Sequence, residues 1–143
     1  MNEKLRHLIG RIESLGFRTG SEAVVSLDEF FTGNPEHFCN LCVNNVDLPT
    51  TQQVQQALAE IKAKANVQDV LIRIVEIDDP LMSDGCWVGS DTVYTLAGAS
   101  LESVAEWFAP LRPSEVTEDG DLAGFAGAPE LESGERVFVA WWD

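Results

Sequence analysis

The chain is 143 residues long and 45% apolar, and its 24 acidic residues against nine basic ones give a formal net charge of −15. A field of that sign repels phosphate backbones and anionic lipids, which argues against binding to nucleic acid or to a membrane surface. The same field attracts a basic partner or cations. An alternative explanation is that the excess of acidic residues only keeps the protein soluble.

The first third of the chain predicts a helix, two short strands and a loop. Leucine and isoleucine recur at steps of three and four over residues 3–15, which favours an amphipathic helix with Gly16 as its C′ residue. Residues 23–27 suit a strand, and residues 28–35 suit a short helical turn followed by a loop. Residues 38–43 form a second short apolar run that we interpret as a strand.

The middle of the chain predicts a helix and a pair of strands. Thr50 or Thr51 caps a helix whose buried face is formed by Val54, Ala57, Leu58, Ile61 and Ala65. Residues 67–78 are apolar on both faces, which is typical of a central strand covered on both sides or of a strand at a subunit contact. We expect this strand to pair antiparallel with the next one, over residues 92–97.

The clearest local pattern follows in residues 91–111, where a strand, a turn and a helix are predicted in succession. Ser100 is placed to cap the helix, and Pro110 removes a backbone donor and ends it near Ala109. The chain closes with residues 136–142, which read as a last strand with apolar groups on both faces.

Residues 113–135 lie between this helix and the last strand, and we call them the acidic segment. They contain many Gly, Ala and Pro, no basic residue, and seven carboxylates: Glu115, Glu118, Asp119, Asp121, Glu130, Glu132 and Glu135. A stretch of this length without periodicity is either a functional loop or poorly ordered. We expect a loop that wraps the surface, with Leu122, Phe125 and Leu131 as apolar anchors.

Taken together, these elements predict one α+β domain over residues 1–143. If residues 38–43 are the first strand, the order is β-α-β-β-α-β, which matches a ferredoxin-like sandwich with an N-terminal helix and strand added. Helices would cover one face of an antiparallel sheet, and the other face would be the place for a partner.

Residues 91–116, the closing Val-Ala-Trp-Trp-Asp and, more weakly, residues 27–34 resemble a group of small acidic bacterial proteins of uncharacterised activity. The resemblance implies a bacterial cytoplasmic origin and an intact single domain, and it transfers no catalytic residues. The N-terminus also lacks the apolar core of a signal peptide, and no run reaches the ~20 apolar residues of a membrane span. We therefore expect a cytoplasmic protein with reduced thiols.

A metal site is weakly indicated by His37, Cys39, Cys42 and Cys86, which could in principle supply a Cys3His zinc set. A second tightly spaced pair is missing, and on a regular strand the first two thiols leave opposite faces. A redox pair is also disfavoured because no helix follows to lower a thiol pKa. The carboxylates Glu76, Asp78, Asp79, Asp84 and Asp91 match no calcium-loop spacing and suit a solvated rim. We expect no cofactor.

The aromatic residues offer two kinds of site. Tyr94, Trp107 and Trp141 could line a pocket between the sheet and the helices. Because Trp141 and Trp142 are adjacent in a strand, they must point to opposite faces, which leaves one of them for an open sheet face or a dimer seam.

The leading functional hypothesis is a non-enzymatic interaction protein of the adaptor, immunity or antitoxin-like kind. Its acidic surface, including Glu118, Asp119 and Asp121, would engage a protein partner, and a basic one fits best. The alternative is a small dimeric ferredoxin-like enzyme or small-molecule-binding domain. A self-associating homodimer is a third hypothesis, which depends on the strands that are apolar on both faces.

Overall fold

The structure is a computed structural model that describes residues 3–42, 45, 47–77 and 86–143. Its helices are α1 (Glu3–Ser14), α2 (Leu27–Phe31), α3 (Thr51–Lys62) and α4 (Leu101–Phe108), with 3-10 turns at Phe17–Thr19 and Ala109–Leu111. Its strands are β1 (Glu22–Ser26), β2 (Val67–Ile74), β3 (Thr92–Ala97), β4 (Glu115–Thr117), β5 (Phe125–Ala126) and β6 (Arg136–Trp141). Within the described ranges, no helix is long and apolar enough to cross a bilayer.

The fold is a mixed α+β arrangement around a six-stranded sheet with the order β4-β6-β3-β2-β1-β5. The neighbours from β4 to β1 are all antiparallel, and only the two-residue β5 pairs parallel, with β1. The predicted antiparallel pairing of β2 with β3 is confirmed, and β6 joins the same sheet through β3. Both edge strands are short, which limits the unpaired backbone that another chain could extend.

Local sequence signals fix where the helices begin. Ser26 and Thr50 form capping boxes with Glu29 and Gln53. In each box the cap side chain accepts from the backbone N–H of the third helical residue, whose side chain accepts from the backbone N–H of the cap. Ser100 caps α4 by accepting a hydrogen bond from the Ser103 N–H. The predicted starts of α3 and α4 are therefore confirmed.

The main core lies between the sheet and all four helices, on what we call the front face. Alternate strand residues such as Ile72, Val93 and Phe138 meet helix residues such as Leu58 and Phe108, all of them fully buried. Each helix contributes one apolar stripe, because residues three and four apart share a helix face. The opposite side of the sheet, which we call the back face, carries the other alternate residues of the same strands.

The strand predicted over residues 38–43 is wrong. Phe38 makes only an isolated bridge with Thr50, and the chain then turns, with the Cys42 N–H donating to the Cys39 carbonyl at 3.4 Å. Cys39, Leu41 and Cys42 are buried in the front core, so the apolar run anchors a loop and forms no pleat. Val43, the last residue of the predicted strand, lies outside the described residues.

The ferredoxin-like strand order is also wrong. In a split β-α-β unit, two strands joined by a helix are parallel and another strand lies between them. Here β1 and β2, joined through α2 and α3, are antiparallel neighbours, and so are β3 and β6, joined through α4. Each of these connections therefore returns the chain directly beside the strand it left, and no strand lies between the two.

The two adjacent tryptophans provide a matched test of the front core. Trp142 is 1% exposed, and its Nε1 donates to the Leu111 carbonyl at 2.8 Å, whereas Trp141 is 37% exposed. We expect Trp142→Phe to lower the free energy of unfolding by about 2 kcal/mol, since it leaves a cavity and a buried carbonyl without its donor. Trp141→Phe removes the same atoms at the surface and should cost less than about 0.5 kcal/mol. Urea denaturation measures both, and equal losses would contradict this assignment.

Candidate functional site

The acidic segment crosses the back face of the sheet and closes much of it. A second, smaller core lies under the segment and is made of Val24, Leu71, Tyr94, Leu96 and Val137. Leu122 and Phe125 pack on this core, and the rings of Phe125 and Tyr94 meet edge to face with centroids 5.4 Å apart. The segment therefore wraps the surface on two of its three expected anchors, while Leu131 is 45% exposed.

The side chain of Gln68 on β2 fastens the acidic segment to the sheet. Its Nε2 donates to the Glu130 carbonyl at 2.8 Å, and its Oε1 accepts from the Glu132 N–H at 3.0 Å. At the other end of the segment, the Gly120 N–H donates to the Val137 carbonyl at 3.1 Å. A side chain at Gly120 would bring a Cβ to 2.5 Å from a methyl of Val137, so the close approach requires glycine.

A cavity of about 390 Å³, the back-face cavity, remains between the acidic segment and the sheet. Its apolar lining comes from Leu96, Leu122, Phe125, Ala128, Pro129, Leu131 and Val137. Asp121 and Glu130 are the two ionisable residues that line it, and no basic residue of the described chain does. The volume and the apolar walls with few polar groups fit a small-molecule site.

Beyond the part of the acidic segment that covers the second core, one end of the back face is open to solvent. One row of directly opposed strand residues runs across it: Val24, Arg73, Thr92, Trp141 and Glu115. Trp141 is 37% exposed, Glu115 is exposed, and Arg73 pairs with Glu22 at 3.0 Å. We call Arg73, Trp141 and Glu115 the open row.

Tyr94 lies between the open row and the back-face cavity. Burial raises the pKa of its phenol, and the nearby Arg73 only partly opposes the rise. The hydroxyl therefore stays neutral at physiological pH. It can take part in hydrogen bonding but is not poised to act as a base.

The four residues proposed as zinc ligands do not form a site. Cys39 and Cys42 are buried in the front core, whereas Cys86 and His37 are exposed. The His37 ring meets the Phe38 ring edge to face, with the ring centroids 4.7 Å apart. Among the described residues, no group of three or more His, Cys, Asp and Glu side chains could hold a metal ion. Asp78, Asp79 and Asp84 of the proposed acidic rim lie outside the described residues.

Burial determines the state of the two core thiols. It raises the pKa of Cys39 to about 11 and the pKa of Cys42 further still, where the neighbouring Cys39 adds to the rise. Both thiols are therefore protonated at physiological pH, and a thiolate is what metal binding and disulfide exchange require. They serve as small apolar side chains of the core.

The tryptophans are separated by the sheet. Trp107 on α4 packs on the front side with the Lys64 ammonium 5.1 Å from its ring centroid, whereas Tyr94 and Trp141 lie on the back face. The predicted pocket between sheet and helices, lined by all three, is therefore wrong. The prediction that Trp141 and Trp142 leave opposite faces is confirmed, since Trp142 is buried in the front core.

A larger groove of about 650 Å³ lies between α1 and α2, and no pattern in the sequence predicts it. Its ionisable lining mixes both signs: Glu3, Lys4, His7, Arg11, Asp28 and Glu29. Arg11 and Glu29 neutralise one another across it at 3.2 Å. Met1 and Asn2, which precede α1, lie outside the described residues.

The comparison with known proteins places nearly all of the chain in one family. The Uncharacterized protein YfbO family matches residues 3–140. The chain belongs to this family. It is also 30% identical over 121 residues to the Uncharacterized protein YfbO of Escherichia coli (strain K12), an alignment that spans 84% of this chain and 82% of that protein. No solved structure matches the chain.

The YfbO match confirms the resemblance to uncharacterised bacterial proteins. The matched range contains every residue that lines the back-face cavity, together with the helices of the front face. The sequence predicted Glu118, Asp119 and Asp121 as part of an acidic surface. Asp121 lines the back-face cavity, whereas Glu118 pairs with Arg136 at 3.3 Å. Glu130 was identified only as one of the seven carboxylates and Gln68 was missed, because their contact joins positions 62 residues apart.

Removal of the Gln68 amide tests how the acidic segment is held. We expect Gln68→Ala to speed amide hydrogen exchange about fivefold in residues 119–132, since two hydrogen bonds worth about 1 kcal/mol together are lost. Exchange in β2 and β3 should not change. The exposed Gln56→Ala on α3 is the control, and equal effects of both variants would argue against the fastening role.

The raised thiol pKa values predict selective alkylation at pH 8. Cys86 is exposed and should react first, whereas Cys39 and Cys42 should react only after unfolding. A pKa near 11 leaves Cys39 with roughly a hundredfold less thiolate than an ordinary cysteine, and burial also blocks the reagent. Mass spectrometry after iodoacetamide treatment, with and without denaturant, measures the difference. Equal rates for all three thiols in the native protein would contradict it.

Proposed function

We propose that the protein is a non-enzymatic interaction module that binds a basic protein partner through the open row and the adjoining acidic segment. The observation that carries the proposal is the exposure of Trp141 on a sheet face that is otherwise largely covered. A partly exposed tryptophan with a carboxylate directly opposite it in the sheet has the composition of an interface hot spot. The proposal covers adaptor, immunity and antitoxin-like roles, since each depends on contact with a protein partner.

Charge supports a basic partner over a neutral one. The acidic segment holds seven carboxylates and no basic residue, and Glu115 lies directly opposite Trp141 in the β4–β6 ladder. Four of the nine basic residues, Lys4, Arg6, Arg11 and Arg18, lie instead in or just after α1. Carboxylates of the acidic segment thus adjoin the open row, where they would speed association with a positive surface.

The geometry also supports a partner that contacts side chains and not a sheet edge. β4 is three residues long and β5 only two, so neither edge offers a long ladder for an added strand. The contact proposed here is a face-on contact, with Trp141 as the apolar anchor and Glu115 and the acidic segment as the charged surround. Arg73, already paired with Glu22, would orient a polar group of the partner.

The test is affinity capture from a lysate of the source bacterium, followed by binding measurements with the captured protein after purification. We expect the double variant Trp141→Ser, Glu115→Lys to weaken binding at least about tenfold, since it removes the anchor and reverses a flanking charge. Binding by the unmodified protein should weaken as salt rises from about 0.05 M to about 0.5 M.

The matched control is Glu102→Lys, an equal charge reversal at an exposed position of α4 on the front side. It should retain binding within about twofold. The proposal fails if the control weakens binding as much as the double variant does, or if no partner is captured at low salt. Light scattering on the purified protein decides whether the captured partner is a second copy of this chain.

A further inference from the structure

The back-face cavity has the size and lining of a ligand site, and the contact between proteins proposed above leaves it unused. Its floor is formed by Leu96 and Val137, both buried, and its roof by Leu122, Phe125 and Ala128 of the acidic segment. About 390 Å³ lies within the range of small-molecule pockets in proteins. The apolar walls select a ligand with an apolar body.

The polar groups of the cavity select the sign of the ligand's charge. Asp121 and Glu130 line it, and neither carboxylate has an ion-pair partner among the described residues. The nearest arginines along the sheet are already engaged, Arg136 by Glu118 and Arg73 by Glu22. An anion would therefore meet only like charges at this site, whereas a cation would meet two uncompensated carboxylates.

Local contacts hold both acidic residues at the cavity. Asp121 Oδ1 accepts from the Ala123 N–H at 2.9 Å, which orients the side chain and leaves its second oxygen available. The backbone of Glu130 is held by its carbonyl, which accepts from Gln68 Nε2. The fastening of the acidic segment thus fixes the backbone that carries one of the two charges.

We propose that the back-face cavity binds a small organic cation with an apolar body, such as an aromatic or aliphatic amine. The apolar part would lie between Leu96, Val137 and Phe125, and the ammonium group would lie at Asp121 and Glu130. The groove between α1 and α2 is larger, but its mixed charges specify neither sign. The proposal does not depend on the partner contact at Trp141.

A pair of probes with the same apolar body and opposite charge tests the inference: 4-phenylbutylamine and 4-phenylbutanoate. We expect the amine to shift the amide resonances of residues 120–130 and of Leu96 and Val137 in a saturable titration. The carboxylate should bind at least about tenfold more weakly. Equal affinities, no titration by either probe, or shifts that map to the groove between α1 and α2 would each overturn the proposal.

Variants separate the role of charge from that of space. The double variant Asp121→Asn, Glu130→Gln keeps the acceptor for the Ala123 N–H and should remove the preference for the amine. The control Asp119→Asn, Glu132→Gln changes the net charge equally, within the same segment but outside the cavity lining, and should keep the preference. Loss of preference in both double variants would show a general field effect and overturn the site.

Ala128→Leu fills the cavity and should weaken both probes at least about tenfold, while Trp141-dependent capture of a protein partner stays unchanged. Unchanged binding of the amine by Ala128→Leu would overturn the proposal. Because the partner contact and the cavity respond to different variants, the failure of either proposal is recognised separately.

Discussion

The structure depends on one constraint: β3 is buried on both faces and must be covered twice. All six residues of β3 are buried, three towards the helices and three towards the back. The helices of the front face satisfy half of this requirement. No helix of the described chain covers the back face, so the acidic segment has to cover it, and it does so with only a few apolar side chains.

The need to cover the back face explains why so acidic a segment is ordered. A solvated tail with six carboxylates between residues 118 and 135 would gain nothing from folding back, because like charges repel one another. Leu122 and Phe125 offset that repulsion by leaving water, and Gln68 adds two directional hydrogen bonds to the backbone. Leu122 and Phe125 face the core while Glu118, Asp119 and Glu132 remain exposed, so the cover of the core is also a charged surface of the molecule.

The sequence predicted the parts of the fold that depend on local signals. Thr50 and Ser100 cap their helices, and strand parity separates Trp141 from Trp142, because both follow from neighbouring residues. Residues 38–43 were misinterpreted because a short apolar run can anchor a loop as well as form a strand. The sheet order was beyond the sequence, since pairing of β1 with β2 depends on how a long helical connection returns. The same holds for the cavity, whose walls come from positions far apart in the chain.

The cation binding proposed above would be coupled to the order of the acidic segment. Closing the segment brings carboxylates together, and that repulsion is part of the free energy that opposes closure. A cation bound at Asp121 and Glu130 as proposed would lower this cost only in the closed state, because the cavity above Leu96 and Val137 exists only when the roof is in place. Such binding would therefore favour closure by linkage, and whatever loosens the Gln68 contact would weaken cation binding in return. A basic partner at the open row would relieve the same repulsion from outside, so the two sites would reinforce one another through the segment they share.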